Sequence, residues 1–75
     1  MIIKFSRHAK RRAKLYKISE STIRKIVEAA DLADGEHELV EDISGFKFPI
    51  KIVIVVEGEV VTVVTNYPLK KERKA

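Results

Sequence analysis

The sequence predicts an α+β fold in which two helices cover one face of a four-stranded sheet, in the order β-α-α-β-β-β. Three observations support this prediction. Residues 46–67 contain two runs of β-branched side chains separated by one glycine-containing break, which is typical of a hairpin. Residues 7–31 contain two segments with apolar residues at helical spacing, each preceded by a serine. Residues 2–5 form a short strand-like run before the first of these segments.

The first helix is predicted to begin at Arg7, because Ser6 before it is a favourable N-cap residue. Ala9, Ala13 and Tyr16 lie on one face of this helix at spacings of four and three. Lysine and arginine occupy most of the remaining positions. The sequence therefore indicates a helix with a narrow apolar stripe and a strongly basic surface.

The second helix is predicted to follow an N-cap at Ser19 and to end near Asp31, where turn-forming residues begin. Its apolar residues recur with helical periodicity, so that one face is suited to docking on a sheet. They are Ile23, Ile26, Val27 and Ala30.

The last three strands are predicted at residues 36–43, 48–56 and 60–65, with Pro68 ending the third after Tyr67. Because proline cannot donate a ladder hydrogen bond, Pro49 indicates that regular pairing begins near Ile50. The hairpin register stays open at this point. A two-residue loop at Glu57-Gly58 and a three-residue loop with a glycine bulge place the second strand's side chains on opposite faces. In either register both faces carry branched apolar residues, so one face awaits a partner.

The 75 residues are expected to form one domain, residues 1–68, followed by a basic tail, residues 69–75. The chain has no cysteine, so neither disulfides nor thiolate metal sites stabilise it. No apolar stretch is long enough for a signal peptide or a membrane span. We therefore expect a cytoplasmic protein that does not bind a membrane.

The charges are segregated along the chain. Residues 1–25 contain nine lysines and arginines and one glutamate, a net charge of +8, whereas residues 26–46 contain seven acidic residues and no lysine or arginine, a net charge of −7. The tail adds +3. Such segregation indicates a basic surface for a polyanion or an acidic surface for a basic partner. The alternative is that these charges are merely solvated.

His8 and Arg12 are four residues apart and therefore lie on one helical face. An imidazole transfers protons near neutral pH, and a guanidinium binds phosphate oxygens in bidentate fashion. This pair suits phosphodiester chemistry. The alternative is a structural role for His8 at the helix N-terminus.

Three further residues are candidates for the same chemistry. Tyr67, at the end of the last strand, can contact a phosphate or stack on a base, although a tyrosine at a sheet margin also packs structurally. Lys47 and Lys51 are predicted to share one hairpin face, where solvation explains them equally well. His37 lies among glutamates, but no second histidine or cysteine completes a metal-binding spacing. We expect no metal and no cofactor.

Three parts of the sequence resemble a small prokaryotic domain-of-unknown-function family that begins with a His-Ala-x-x-Arg motif. They are residues 5–12 (Phe-Ser-Arg-His-Ala-Lys-Arg-Arg), Ile18-Ser19 at the start of the second helix, and residues 61–67 (Val-Thr-Val-Val-Thr-Asn-Tyr). That family is similar in layout to the RelE/ParE toxins of toxin–antitoxin systems. The resemblance implies a RelE-like fold, a mostly antiparallel four-stranded sheet with two N-terminal helices on one face.

The resemblance also implies a function. RelE-type ribonucleases cleave messenger RNA on the ribosome with basic residues on the sheet and an aromatic residue or histidine near the end of the last strand. Tyr67 matches that last position, and Lys51 or Lys47 matches a sheet base. Those enzymes generally carry arginines on the sheet, where this chain has lysines.

Two hypotheses follow. In the first, the chain binds or cleaves RNA without a metal, with His8, Arg12, Tyr67 and Lys51 as catalytic residues. The nucleic-acid-binding residues are then Arg7, Arg11, Lys47, Lys70 and Lys71. In the second, the chain is a non-catalytic interaction module whose second sheet face binds its own copy or an antitoxin-like acidic protein.

Overall fold

The computed structural model describes residues 1–69, which form two helices and one four-stranded mixed sheet. The α+β class and the order of elements agree with the sequence prediction. The strand order in the sheet is β1-β4-β3-β2, with β1 parallel to β4 and the other neighbours antiparallel. The elements are β1 (Ile2–Phe5), α1 (Arg7–Tyr16), α2 (Glu20–Ala29), β2 (Gly35–Glu41), β3 (Ile50–Glu57) and β4 (Val60–Pro68).

Both helices begin where their serine caps predict. The Ser6 hydroxyl accepts a hydrogen bond from the Ala9 amide at 2.9 Å, and Ser19 accepts one from the Ser21 amide at 3.2 Å. These bonds satisfy amide groups that have no partner within the first helical turn. Lys17 caps the C-terminus of α1. Its left-handed backbone (φ 59°) allows its amide N–H to donate hydrogen bonds to the carbonyls of Ala13 and Lys14 in the last turn. Helix α2 ends at Ala29, two residues before the predicted end.

The core lies between the two helices and one face of the sheet. The stripe predicted for α1 is confirmed at Ala9 and Ala13, which are buried, whereas Leu15 is 65% exposed. The small alanine side chains allow α1 to approach the sheet closely. On α2, Ile23 and Val27 are buried as predicted. The sheet contributes alternate residues of β3 and the first half of β4: Ile50, Ile52, Ile54, Val56, Val61 and Val63.

The turn of the main hairpin differs from both loops that the sequence suggested. Glu57 pairs with Val60, so the loop consists of Gly58 and Glu59. Gly58 has a φ of +61°, the value that the first position of a type II′ turn requires and that glycine adopts without steric cost. Ile54 and Val56 consequently share the core face with Val61 and Val63.

A β-bulge changes the register halfway along β4. Ile54 pairs with Val63 but Val53 pairs with Thr65, so Val64 is an extra residue with no partner of its own. Beyond it the two faces of β4 exchange. Asn66 therefore points into the core, and Thr65 and Tyr67 point to the opposite face. One of the two facial arrangements that the sequence left open therefore holds before the bulge, and the other holds after it.

The sheet face opposite the helices is called the open face here. It carries the odd-numbered residues of β3, Lys51, Val53 and Val55, together with their cross-strand neighbours. The valines on it are only partly buried. The open face therefore presents branched apolar side chains that the helices do not cover.

Several strand boundaries differ from the prediction by one to three residues. Strand β3 begins at Ile50, two residues after the start of the predicted run, which confirms the start that Pro49 indicated. Lys47 consequently lies in the exposed loop before β3 and does not share a strand face with Lys51. Strand β2 covers Gly35–Glu41 and ends two residues before the predicted limit.

Neither helix can cross a bilayer. Each has ten residues, about half the length that a membrane-spanning helix requires, and no helix among the described residues is long and apolar enough to span a membrane.

Replacing Ser6 with alanine is expected to lower the free energy of unfolding by about 1–2 kcal/mol, because it removes the N-cap of α1 and a bond to the bulge. Chemical denaturation monitored by circular dichroism measures this loss. Ser44→Ala is the matched control, since Ser44 is exposed in the loop between β2 and β3. Equal stability of the two variants would contradict this role for Ser6.

Candidate functional site

Side chains that can transfer protons or bind anions line an open cleft of about 470 Å³ between α1 and the second half of β4. From α1, His8, Arg12 and Tyr16 line it, each four residues after the last and therefore on one helical face. From β4 the lining residues are Thr65, Tyr67 and Pro68. His8, Arg12 and Tyr67, which the sequence singled out separately, are thus brought together.

The cleft exists at this position because β1 is short. Its pairing with β4 stops at Phe5 and Val63, so beyond the bulge residues 65–68 of β4 pair only with β3. The chain leaves the sheet at Ser6, and α1 begins directly beside the free edge of β4. Helix and strand edge then form the two walls of the cleft.

Two side-chain hydrogen bonds connect these walls. The Ser6 hydroxyl donates to the carbonyl of Val64, the bulge residue, at 2.8 Å. The Asn66 side-chain amide donates to the Ala9 carbonyl at 3.2 Å. His8 lies between the two anchored positions of α1, and Thr65 lies between the two anchored positions of β4. The bonds therefore fix His8 relative to the strand that carries Tyr67.

Asn66 is a polar residue with no exposed surface, in a core that is otherwise aliphatic. Its Oδ1 atom has no hydrogen-bond donor among residues 1–69. A buried acceptor without a partner costs about 1–3 kcal/mol. This cost makes Asn66 a poor choice for stability alone, which is consistent with a positioning role beside the cleft.

Arg12 supplies the permanent positive charge of the cleft. Its Nη1 atom donates to the Tyr16 hydroxyl at 3.2 Å, and no carboxylate in the described residues forms an ion pair with it. A guanidinium has five N–H donors in a fork that matches phosphate oxygens. The bond to Tyr16 orients Arg12 and leaves its charge uncompensated, as an anion site requires.

His8 does not serve as the helix cap. Ser6 accepts the capping bond, and the exposed imidazole of His8 makes no hydrogen bond within residues 1–69. The alternative in which His8 has a structural role at the N-terminus of α1 is therefore not supported, because Ser6 has that role. Its side chain is exposed and lines the cleft.

Lys51 does not line the cleft but lies directly behind it, opposite Tyr67 on the open face. Its Nζ atom is 2.9 Å from Glu38 Oε1. The hydrogen bond to Glu38, followed by the attraction of that carboxylate and of Tyr67, raises the pKa of Lys51 above its ordinary value. Lys51 is therefore a cation at neutral pH and a neighbour of Tyr67, not a proton acceptor.

Of the remaining basic candidates, three lie in the described part of the chain. Arg7 and Arg11 are exposed on α1, whose ten residues include five lysines or arginines and no acidic residue. The N-terminal end of its helix dipole adds positive potential near His8. Lys47 is exposed in the loop before β3. Lys70 and Lys71 lie outside the described residues.

Metal coordination finds no support in the described part of the chain. No group of three or more histidine, cysteine, aspartate or glutamate residues is placed to hold an ion there. His37 Nε2 donates to the Ala33 carbonyl at 2.7 Å, which accounts for its imidazole structurally.

A second cavity of about 320 Å³ lies at the other end of β4, between the hairpin turn and the end of α2. Aliphatic side chains, among them Val27, Leu32 and Ile54, form much of its lining, and Asp31 and Glu59 are its charged members. It contains no imidazole, guanidinium or hydroxyl side chain. The cleft beside α1 is therefore the better candidate for chemistry.

The chain was compared with protein-family models, with curated proteins and with solved structures, and none of the three comparisons gave a match. The RelE-like resemblance therefore rests on the sequence motifs and the order of elements.

Sequence reasoning missed Tyr16, Thr65 and Asn66 as parts of the site. Tyr16 was assigned to the apolar stripe of α1, although its position four residues after Arg12 places it on the same face. Thr65 and Asn66 could not be assigned to a face, because the bulge at Val64 that orients them has no signal in a run of β-branched residues.

Replacing Glu38 with glutamine is expected to lower the pKa of Lys51, since it removes the carboxylate that stabilises the ammonium form. Titration of the Lys51 ¹³Cε resonance by NMR measures the shift. Glu36→Gln is the control, because Glu36 lies on the same strand opposite Val55. An unchanged Lys51 titration in Glu38→Gln would contradict the assigned contact.

Proposed function

We propose that this chain binds single-stranded RNA, holds a phosphodiester group in the cleft of His8, Arg12 and Tyr67, and cleaves it without a metal ion. The observation that carries this proposal is the convergence on one cleft of an imidazole, a tyrosine and a guanidinium that has no carboxylate partner among residues 1–69. The RelE-like resemblance supports the same substrate class, with messenger RNA on the ribosome as the target.

The proposed reaction transfers the RNA 2′-hydroxyl onto the adjacent phosphate. The 2′-oxygen forms a new bond to phosphorus, the bond from phosphorus to the 5′-oxygen breaks, and a 2′,3′-cyclic phosphate results. The 2′-hydroxyl loses a proton and the leaving 5′-oxygen gains one. His8 is the group in the cleft suited to this proton transfer.

Arg12 and Tyr67 have complementary roles in this proposal. Arg12 binds the non-bridging phosphoryl oxygens and stabilises the negative charge that develops on them. Tyr67 orients the nucleotide through its ring or hydroxyl group. Lys51 acts on Tyr67 and not on the phosphate, because Glu38 already compensates its charge.

The basic surface of α1 supplies the affinity in this proposal. Phosphate neutralisation provides most of the sequence-independent binding energy for nucleic acids. Arg7 and Arg11, exposed next to the cleft, extend the path of the RNA backbone along α1. An acidic antitoxin-like protein would compete for the same surface.

RNA binding is expected to weaken roughly 100-fold between about 50 and 200 mM salt if about five phosphates are contacted. Fluorescence anisotropy with a labelled single-stranded RNA measures this dependence. Combining Arg7→Ala with Arg11→Ala should reduce the slope of log affinity against log salt by about 1.4, and Lys25→Ala on α2 is the control. A flat salt response, or no binding at low salt, would refute the proposal.

Cleavage is expected to fall by about 10² to 10⁴ in His8→Ala with little change in RNA affinity, because a proton-transfer group acts in the reaction and not in binding. Gel analysis of labelled RNA, with and without ribosomes, measures the rate. His37→Ala removes the other imidazole of the chain and is the matched control.

Arg12 variants separate binding from catalysis in the same assay. Arg12→Ala should weaken both affinity and cleavage, and Arg12→Lys should retain more affinity than cleavage, since it keeps the charge but loses the planar fork. Thermal unfolding confirms that each variant is folded. Undiminished cleavage in His8→Ala would remove this mechanism, and no cleavage by the parent protein would leave RNA binding alone or an interaction module.

The second candidate function, a non-catalytic interaction module, is favoured by the open face. Ile2 in edge strand β1 and Val40 in edge strand β2 are 54% and 53% exposed. Val53 and Val55 on β3, between these edges, are only partly buried. Exposed branched residues on a sheet face are an aggregation hazard unless a partner covers them.

A further inference from the structure

The open face carries opposite charges at its two edges. The strand register places Lys4, Thr62, Val55 and Glu36 in one row across β1, β4, β3 and β2. Directly paired residues point to the same side of a sheet, so this row crosses the open face from edge to edge. Lys4 and Glu36 are exposed, and the two residues between them are partly buried. The row therefore reads cation, hydroxyl, aliphatic, anion.

The charges of this row are complementary to those of a second copy of the row that runs in the opposite order. If a second row lies face to face with it about a two-fold axis parallel to the strands, Lys4 faces Glu36 of the second row, and Val55 faces Thr62. Both ends then form Lys–Glu contacts, and the β-branched side chains meet in the centre. Packed sheets lie about 10 Å apart, a gap that an extended lysine and a glutamate span together.

The charge pattern also selects the orientation of the axis. A two-fold axis in the interface but perpendicular to the strands would place β1 against β1, so that Lys4 faces Lys4 and Glu36 faces Glu36. Such like-charge contacts are unfavourable. The other charged pair on this part of the face, Lys51 and Glu38, is already compensated within one chain.

We propose that a second copy of this chain covers the open face, forming a symmetric sandwich whose two-fold axis runs parallel to the strands between β4 and β3. The branched residues Val53, Val55 and Thr62 form the centre of the interface. The Lys4–Glu36 contacts at its two edges set the orientation. This inference does not depend on RNA binding, because none of the four residues of the row lines the cleft beside α1.

Sedimentation velocity of the full chain between about 1 and 500 μM is expected to show a monomer–dimer equilibrium. Lys4→Glu and Glu36→Lys should each weaken dimerisation about ten-fold, because each replaces two attractive contacts per dimer with two repulsive ones. An equimolar mixture of the two variants should restore association. In the mixed dimer the two introduced side chains, of opposite charge, face each other at one edge, and the native Lys4–Glu36 contact is kept at the other.

The matched controls are Lys25→Glu and Glu28→Lys, which make the same charge changes at exposed positions of α2. They should leave dimerisation unchanged, and their mixture should give no gain. Thermal unfolding verifies that all four variants are folded. A parent protein that remains monomeric, controls that act like the test variants, or a mixture of Lys4→Glu and Glu36→Lys that fails to associate would overturn the proposal.

Discussion

The hydrogen bond from the Ser6 hydroxyl to the carbonyl of Val64 joins the start of α1 to the β-bulge in β4. The same hydroxyl accepts the Ala9 amide, so one oxygen caps the helix and fixes its position on the strand. The bulge turns Asn66 inward, where its amide holds the Ala9 carbonyl. If Val64 instead paired with Val53 in a regular ladder, Thr65 and Tyr67 would point into the core. The cleft beside α1 is a consequence of this one irregularity in an otherwise regular hairpin.

The small size of the domain makes this arrangement costly. A chain of 75 residues without cysteine depends on a modest aliphatic core, and two alanines supply the buried contacts of α1. Burying Asn66 with an unsatisfied Oδ1 adds a further penalty. Local departures from the most stable choice are expected where a site must be held in a defined geometry. Here the bulge, the buried amide and an arginine with no carboxylate partner in the described residues all adjoin the same cleft.

The sheet separates two surfaces of different character. Helix α1 presents basic residues on one side, suited to a polyanion in the proposed function. The open face on the other side is apolar in the centre, with lysine at one edge and glutamates at the other. Tyr67 connects the two surfaces, because it points to the same face as Lys51, its cross-strand partner, and also lines the cleft beside α1.

The sequence by itself determined the α+β class, the order of the elements and the start of both helices, because serine caps, helical spacing and β-branched runs act within a few residues along the chain. It also identified His8, Arg12 and Tyr67 through their chemistry. Only the tertiary structure decided that they share a cleft, that Lys51 is tied to Glu38, and that Asn66 is buried. These facts depend on the bulge at Val64, which lies within an unbroken run of β-branched residues, 60–65, so local preference does not reveal where pairing slips. That position follows from long-range contacts with Ser6, Ala9 and Val53.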